Sequence, residues 1–395
     1  MNLNYNSNEL MLVANNESIT LSDLYKGQPV YVYNLEGIKE RYEAFKNSFN
    51  GKVDIHYAVK ANTHRDILST LAQLGAGADV VSIGEIEQCL EAGFLPETIV
   101  YSGVGKSKME IEKAVKLGIK EINVEGPQEL ERISEITKRL NKPAHVSLRM
   151  NPDVCPDTHP YIRTGFRENK FGMDESFLPE LIKTLKSNPL LVLKGLSIHI
   201  GSQILETKSY CEAVKKMWPV FEKLKSEGFQ LETFNVGGGL GIQYETQEYK
   251  KDFQLMQEFG QAMLDVFKDQ NLKILCEPGR MLVGPEGILL CEVEYIKSTP
   301  YKNFAIVNTG MHHLIRPALY QSFHKILATQ QNLDREEVLY DIVGPICESS
   351  DVIGTERTMR ELKQGDLLAI LDTGAYGATM QSRYNSQVHV LEVVI

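Results

Sequence analysis

The chain has 395 residues, of which 43% are hydrophobic and 24% are charged, and its formal net charge is −10 at pH 7. This composition is ordinary for a globular protein, and the length allows two domains or one large α/β barrel with an appendage. The negative charge argues against a nucleic-acid groove, because phosphate backbones need a positive field, but it leaves room for a pocket that binds a small anion.

The N-terminal segment MNLNYNSNELMLV lacks the basic start and the apolar core of a signal peptide. No apolar run approaches the roughly 20 residues of a membrane span. The six cysteines contain no CxxC pair, so we expect reduced thiols in a cytoplasmic protein, without disulfides or a zinc site. His312 and His313 are adjacent, and adjacent side chains rarely converge on one ion, so we expect no metal. We also expect no membrane or nucleic-acid partner.

From about residue 54 the chain alternates short apolar runs with longer segments of helical periodicity. Segment 128–140, for example, places four apolar residues on one helix face: Leu130, Ile133, Ile136 and Leu140. Such alternation predicts parallel strands joined by right-handed crossovers. Eight units in about 230 residues fit a (β/α)8 TIM-like barrel, with an open doubly wound sheet as the alternative. The predicted strands are 55–60, 78–81, 99–101, 121–124, 145–150, 195–200, 233–236 and 273–276.

Beyond residue 280 the pattern changes to strand-like runs with turns and little helical periodicity, which predicts a second, C-terminal β-rich domain. These runs are 288–297, 303–308, 337–343, 366–371 and 387–393. The run 30–34 (VYVYN) precedes the first barrel unit, and we expect it to pair into the same domain. The predicted domains are therefore a barrel at 36–280 and a β-sandwich or β-barrel-like domain made of 1–35 plus 281–395.

Functional residues of such a barrel cluster where its strands end. Lys60 in YAVKAN ends the first predicted strand and His199 in HIGSQ ends the sixth. The glycine-rich turn GGGLG (237–241) follows the seventh, and CEPGR (276–280) closes the eighth.

The glycine turn allows backbone N–H groups to approach an anion closely. A GGGxG run alone favours a merely tight turn. Its position favours a phosphate site, because loops after the seventh and eighth strands usually hold phosphate in these barrels. Gly239, Gly241 and Gly279 are the expected cradle.

Three side chains at the strand ends each have two interpretations. Lys60 is either a solvated charge or a desolvated amine that forms a Schiff base. Glu277 needs a partner, either a pyridine nitrogen or an arginine such as Arg149 or Arg280. His199 is either a hydrogen-bonded core histidine or a ring that stacks on a planar cofactor. An amine, a phosphate cradle, a ring acid and an imidazole together indicate pyridoxal 5′-phosphate (PLP).

With YAVKAN, HIGSQ, GGGLG and CEPGR in this order, the chain resembles the barrel-type PLP decarboxylases, the family of diaminopimelate, ornithine and arginine decarboxylases. GPICESSD (344–351) and DTGAYG (372–377) match two more motifs, so the resemblance extends from about Val30 to Ser386. Within the family, segments 151–172 and 314–324 are most similar to the diaminopimelate branch. After YNS (384–386) the family commonly continues with arginine and proline, whereas QVH follows here. We expect this difference to affect the fine positioning of the substrate and not the chemistry.

The resemblance implies that Lys60 binds PLP covalently, that His199 stacks on its ring and that Glu277 meets its nitrogen. It also implies that Cys347 is the acid near the substrate Cα and acts across the interface of a head-to-tail homodimer. The residues implied to hold the cofactor are Lys60, Asp79, His199, Ser202, Gly238, Gly239, Gly241, Glu277, Gly279, Arg280 and Tyr376. Those implied to contact the substrate are Arg280, Arg316, Tyr320, Glu348 and Tyr376.

The implied reaction is decarboxylation of meso-2,6-diaminopimelate to L-lysine and CO₂, the last step of lysine biosynthesis. Arg316 offers a fork for the distal carboxylate and Glu348 an anion for the distal ammonium. Ornithine or lysine would leave that arginine unpaired. The alternatives are a related decarboxylase for a D-amino acid, a carboxylated polyamine or a siderophore precursor, a barrel for another phosphate ligand, and a silent partner-binding homologue. The presence of Lys60 and Cys347 argues against the last.

Overall fold

A computed structural model describes residues 1, 3–14, 17–154, 156, 170–246, 248–268 and 270–395. The chain divides into two compact units. The barrel unit comprises Tyr42–Gly241 and Lys250–Gly279, and the β unit comprises Met1–Arg41, Ile242–Tyr249 and Arg280–Ile395. The predicted boundaries after residues 35 and 280 stay a prediction. Cys155 and most of the family-like segment 151–172 lie outside the described residues.

The β unit begins with a small antiparallel sheet that the sequence patterns did not predict. Its middle strand alternates between buried residues, such as Leu10 and Leu12, and more exposed ones. A fully buried strand and the first helix follow. These elements are β1 (Leu3–Asn6), β2 (Glu9–Ala14), β3 (Glu17–Thr20), β4 (Val30–Tyr33) and α1 (Leu35–Ser48).

The barrel unit contains a closed barrel of eight parallel strands, which confirms the predicted fold class over the open sheet. Each strand pairs with its successor in the chain, and the eighth pairs with the first to close the barrel. The strands are β5 (Val53–Ala58), β6 (Gly77–Val80), β7 (Ile99–Tyr101), β8 (Glu121–Val124), β9 (Ala144–Arg149), β10 (Leu191–Ser197), β11 (Thr233–Asn235) and β12 (Lys273–Cys276).

Amphipathic helices cover the barrel, and local signals set their ends. In α4 a capping box between Ser107 and Glu110 begins the helix, and Gly118 in the left-handed region ends it. No helix of the described ranges is long and apolar enough to cross a membrane. The helices are α2 (Arg65–Gln73), α3 (Ile83–Ala92), α4 (Lys108–Leu117), α5 (Pro127–Leu140), α6 (Leu178–Ser187), α7 (Lys208–Ser226) and α8 (Tyr249–Val266).

The rest of the β unit is a mixed sheet in which β13 is central. The elements are α9 (Arg280–Val283), β13 (Gly287–Ser298), β14 (Asn303–Val307), α10 (Arg316–Tyr320), β15 (Ile326–Ala328), β16 (Glu337–Val343), β17 (Val352–Arg360), β18 (Leu367–Ile370) and β19 (Leu391–Val394). The strand order is β15-β18-β13-β14-β16-β17, and β4 pairs with both β13 and β19. The predicted pairing of the run 30–34 into this domain is thus confirmed. The strand predicted over 387–393 begins only at Leu391, so the prediction is wrong for residues 387–390. In that part of the run the Val388 side chain is exposed to solvent.

A buried carboxylate joins distant parts of the β unit. Glu286 Oε1 lies 2.8 Å from Arg41 Nε and 3.1 Å from the Met1 amino group, and Oε2 accepts a hydrogen bond from Asn34 Nδ2 at 3.2 Å. Arg41 and Glu286 are 1% and 3% exposed, so this pair is shielded from water and salt.

Glu286→Ala would leave the Arg41 guanidinium buried without that carboxylate. We expect the free energy of unfolding to fall by about 3–5 kcal/mol, measured by urea titration with far-UV circular dichroism. The matched control is Glu337→Ala, which removes an exposed pair with Arg360 in the same unit and should cost less than about 1 kcal/mol. Equal losses for the two variants would contradict a stabilising role of the buried pair.

Candidate active site

The mouth of the barrel holds a cavity of about 200 Å³ at the carboxyl ends of the strands. Parallel strands bring their carboxyl ends to one face, so residues far apart in sequence meet there. Among the side chains that line it are Lys60, Asn123, Arg149, Phe171, His199 and Glu277. Three of the six, Lys60, His199 and Glu277, were predicted as catalytic residues.

Lys60 lies in a short 3-10 turn, Val59–Ala61, directly after β5. Its Nζ is 2.9 Å from Oδ2 of Asp79, a fully buried residue of β6. The Lys60 side chain is 35% exposed, so its amine lies at the border between the barrel interior and the cavity. The structure therefore brings Asp79 to the predicted Schiff-base lysine.

Glu277 follows β12 and is buried. Its Oε1 accepts hydrogen bonds from two amides, Asn235 Nδ2 at 2.5 Å and Asn123 Nδ2 at 3.4 Å. Burial raises the pKa of Glu277 to about 8, and Asp79 adds to this rise. Both effects favour the protonated form of the carboxyl group.

Arg149, considered as an ion-pair partner for Glu277, pairs with Glu125 instead. Glu125 Oε2 also accepts the Gly172 N–H at 2.8 Å. The Arg149 guanidinium carbon lies 5.2 Å from the centre of the Phe171 ring, within cation–π range. Arg149 thus brings a compensated positive charge to the cavity wall.

His199 lies in the loop after β10, because that strand ends at Ser197 and not at residue 200 as predicted. Burial, followed by the charges of Arg149 and Lys60, lowers the pKa of His199 well below its ordinary value. The imidazole is therefore neutral. Its Nδ1 faces the Gly238 N–H at 3.3 Å, so the ring proton is on Nε2.

The glycine turn is packed too closely for side chains. A Cβ at Gly238 would lie 2.0 Å from the Glu277 carbonyl oxygen, and one at Gly239 would lie 2.1 Å from that of Gly201. Gly239 also has φ +102°, which favours glycine. The space is less tight at the other two glycines, since a Cβ at Gly241 would be 2.9 Å from the Gln203 carbonyl carbon and one at Gly279 would be 3.0 Å from Ala61 Cβ. Both sequence interpretations, a tight turn and an anion cradle, are compatible with this packing.

The backbone donors of the turn divide into two groups. The N–H of Gly237 donates to Asn235 Oδ1, that of Gly238 to His199 and that of Gly241 to the Ile204 carbonyl. In the part of the chain that the structure describes, the N–H groups of Gly239 and Gly279 donate to no protein acceptor. They remain available to an anion. Ser202, also predicted there, lies half-buried in the loop after β10.

The β unit holds a second cluster, made of two buried arginines and aromatic rings. Arg280 Nη1 donates to Tyr244 Oη at 2.7 Å, and its guanidinium carbon is 4.8 Å from the centre of the Tyr376 ring. Tyr376 has φ +57°, an uncommon backbone conformation for a tyrosine. The Arg316 guanidinium carbon lies 4.6 Å from the centre of the Tyr244 ring. Tyr320, also predicted to contact substrate, ends the same helix as Arg316.

Arg316 is 3% exposed, and no carboxylate of the described residues pairs with it. Its Nη1 lies 2.8 Å from His324 Nε2, while His324 Nδ1 lies 2.8 Å from the Leu371 carbonyl oxygen. A carbonyl accepts only, so Nδ1 carries the proton and Nε2 accepts from Arg316. Burial and the charge of Arg316 keep the pKa of His324 well below its ordinary value. A neutral histidine thus orients Arg316 without compensating its charge.

Cys347 and Glu348 lie on the exposed loop between β16 and β17. Tyr384 Oη donates to Glu348 Oε1 at 2.5 Å. Asp351 holds the base of the loop by accepting the N–H of Ile346 at 2.7 Å. The roles predicted for Cys347 and Glu348 stay predictions.

Sequence reasoning missed Asn123, Asn235 and His324. A usable signal existed for the two asparagines, since a polar side chain in a strand that is buried on both faces needs a partner. Their shared contact with one oxygen of Glu277, however, depends on the closure of the barrel.

Residues 35–284 match the family model described as "Pyridoxal-dependent decarboxylase, pyridoxal binding domain". Diaminopimelate decarboxylase of Aquifex aeolicus is 40% identical over 395 residues, covering 100% of this chain and 92% of that protein. A Helicobacter pylori diaminopimelate decarboxylase structure complexed with L-lysine is 41% identical with a TM-score of 0.89, covering 95% of this chain and 93% of that one. A structure of diaminopimelate decarboxylase from m. jannaschii in co-complex with L-lysine is 34% identical with a TM-score of 0.90, covering 100% of this chain and 92% of that one.

Gly239→Ala would place a methyl group against the Gly201 carbonyl oxygen, in addition to the backbone strain. We expect PLP affinity to fall by more than about tenfold, because even a clash of 1–3 kcal/mol displaces the turn. Absorbance titration with PLP measures this. Gly228→Ala is the matched control, since Gly228 has φ +95° but open space around its Cβ position. Equal PLP affinity in the two variants would speak against a role of the turn in binding.

Proposed function

Because this chain belongs to the diaminopimelate decarboxylase family of pyridoxal-dependent decarboxylases, we propose that it converts meso-2,6-diaminopimelate to L-lysine and CO₂. This reaction is the last step of lysine biosynthesis. The observation that carries the substrate assignment is the buried guanidinium of Arg316, which no carboxylate of the described chain compensates. A substrate with a distal carboxylate supplies the missing charge.

The residues at the barrel mouth fit PLP, the cofactor of the family. Lys60 supplies the amine that binds the aldehyde carbon, and the free N–H groups of Gly239 and Gly279 supply donors for the phosphate. Ser202, Gly238, Gly241, Arg280 and Tyr376 complete the proposed phosphate region. When bound, PLP takes up the electron pair that remains at Cα after CO₂ leaves.

Three of the chain's own groups prepare this chemistry. Asp79, 2.9 Å from Lys60 Nζ, orients the amine. Glu277 would meet the pyridine nitrogen and share a proton with it, which keeps the ring electron-poor and favours decarboxylation. His199 is neutral and therefore adds no repulsion when it stacks on a positively charged ring.

For the far end of the substrate we propose the residues that the family resemblance implies. Arg316 binds the distal carboxylate through its planar fork, with its orientation supported by the bond to His324. Glu348 binds the distal ammonium, and Arg280, Tyr320 and Tyr376 contact the rest of the molecule. Ornithine or lysine carries no distal carboxylate and would leave Arg316 buried and uncompensated.

We also propose that the protein forms a head-to-tail homodimer in the cytoplasm. Cys347 is exposed on its own subunit, which agrees with a role across an interface. There it would return a proton to Cα, and general acid steps of this kind contribute roughly 10²–10⁴-fold to the rate.

Lys60→Ala removes the amine that holds the cofactor. We expect loss of the visible absorbance of bound PLP and loss of lysine formation from meso-diaminopimelate, both measured on purified protein. Lys113→Ala, at an exposed ion pair on the barrel exterior, is the control and should keep both. CO₂ release by Lys60→Ala at the wild-type rate would refute the assignment.

Arg316→Ala removes the partner of the distal carboxylate. We expect kcat/KM for meso-diaminopimelate to fall by roughly 10²–10³-fold, because truncating a buried charge pair is costly, while PLP affinity changes little. Arg335→Ala, at a partly exposed pair with Asp366 in the same unit, should change neither value. A parallel loss of PLP affinity and turnover in Arg316→Ala would indicate a structural arginine.

A further inference from the structure

We propose that Asn235 and Asn123 are positioning residues that fix the Glu277 carboxyl group, so that Oε1 accepts hydrogen bonds and the proton resides on Oε2. This inference deepens the proposed function and rests on it, since the pyridine nitrogen of PLP is the group that Oε2 would meet. Neither asparagine belongs to the residues that the sequence motifs single out.

Asn235 is the stronger of the two contacts. It is the last residue of β11, is 0% exposed, and places Nδ2 2.5 Å from Glu277 Oε1. Its own Oδ1 accepts the Gly237 N–H at 2.8 Å. A backbone N–H can only donate, so Oδ1 has to face Gly237 and Nδ2 has to face Glu277. The glycine turn therefore determines which way this amide points.

Asn123 supplies the second donor from the opposite part of the barrel. Its Nδ2 lies 2.8 Å from Ser102 Oγ and 3.4 Å from Glu277 Oε1. The backbone carbonyl of Asn123 accepts a hydrogen bond from Nζ of the buried Lys106 at 2.8 Å, and the same Nζ lies 2.8 Å from Glu129 Oε1. Lys106 thus holds the Asn123 backbone and Ser102 its side-chain amide, but the longer contact of that amide with Glu277 is weaker.

Two N–H donors aimed at one oxygen decide where a proton can be. A hydroxyl on Oε1 would point its hydrogen against two other hydrogens, whereas Oε1 as a pure acceptor satisfies both amides. Among the described residues no donor reaches Oε2, and Glu277 lines the cavity. A proton on Glu277 therefore resides on the oxygen left for the cavity. Without the amides the carboxyl group could rotate and present either oxygen.

The test compares PLP with its carbocyclic analogue, in which a C–H replaces the pyridine nitrogen. Dissociation constants of both ligands are measured on the full-length, cofactor-stripped protein, so the result does not depend on turnover. We expect Asn235→Ala to weaken PLP by about tenfold and the analogue by less than about twofold, since only PLP uses Oε2. Asn123→Ala should give the same pattern with about a threefold loss for PLP.

Two further variants separate positioning from general damage. Glu277→Leu, which removes both oxygens, should abolish the preference for PLP over the analogue, and Asn235→Ala added to it should not change the ratio of the two constants. Asn188→Ala is the matched control, because Asn188 is a buried amide of the same unit that bonds Ser134 and Thr137 instead. It should leave the ratio at the wild-type value.

Equal losses of affinity for PLP and for the analogue in Asn235→Ala would overturn the inference. If Asn235→Ala does not fold, Asn123→Ala carries the test. An unchanged ratio of the two dissociation constants in Asn123→Ala would then overturn the inference. A wild-type protein that binds no PLP would overturn the proposed function itself, and one without preference for PLP over the analogue would overturn the role of Glu277. Failure of the inference and failure of the proposed function therefore give different results.

Discussion

Closure of the eight parallel strands is the constraint on which the barrel unit depends. Because β12 pairs with β5, Glu277 lies on the same cavity as Lys60 although more than half of the chain separates them. The interior is filled by strands buried on both faces, so a polar group inside depends on the partners that neighbouring strands bring to it. Asp79 with Lys60, and the two asparagines with Glu277, are the result. Packing and site geometry are thus fixed by one set of strand pairings.

Burial has opposite effects on charge in the cluster at the barrel mouth and in the arginine cluster of the β unit. At the barrel mouth, burial leaves Glu277 protonated and His199 neutral, so that two titratable groups lose their charge. In the β unit, Arg316 cannot lose its proton at any ordinary pH, and its neighbour His324 becomes neutral instead. A neutral acid suits a ring nitrogen with which it shares a proton. A permanent cation suits a carboxylate that arrives with the substrate.

Sequence patterns predicted the barrel strands well, because each is a short run buried on both faces. The runs 99–101, 121–124 and 273–276 have the bounds of β7, β8 and β12. The sequence patterns failed to predict β1 and β3, which are four residues long, rich in polar side chains and without a fully buried residue. Lys60, His199 and Glu277 were found because they sit at strand ends. The orientation of the Asn235 amide could not be found, since it depends on a backbone N–H two residues later and on a carboxyl group from the next strand.

The place of β4 in the sheet has a consequence for how the chain matures on the ribosome. β4 is made early, but its neighbours β13 and β19 begin at Gly287 and Leu391. Every barrel strand has been synthesised before either neighbour of β4, so the nascent barrel unit has its full set of strands first. During that interval both edges of β4, a strand of the sequence VYVY, lack their native partners. Until both neighbours have been made, β4 offers two unpaired edges, the feature of a strand that favours pairing with another chain.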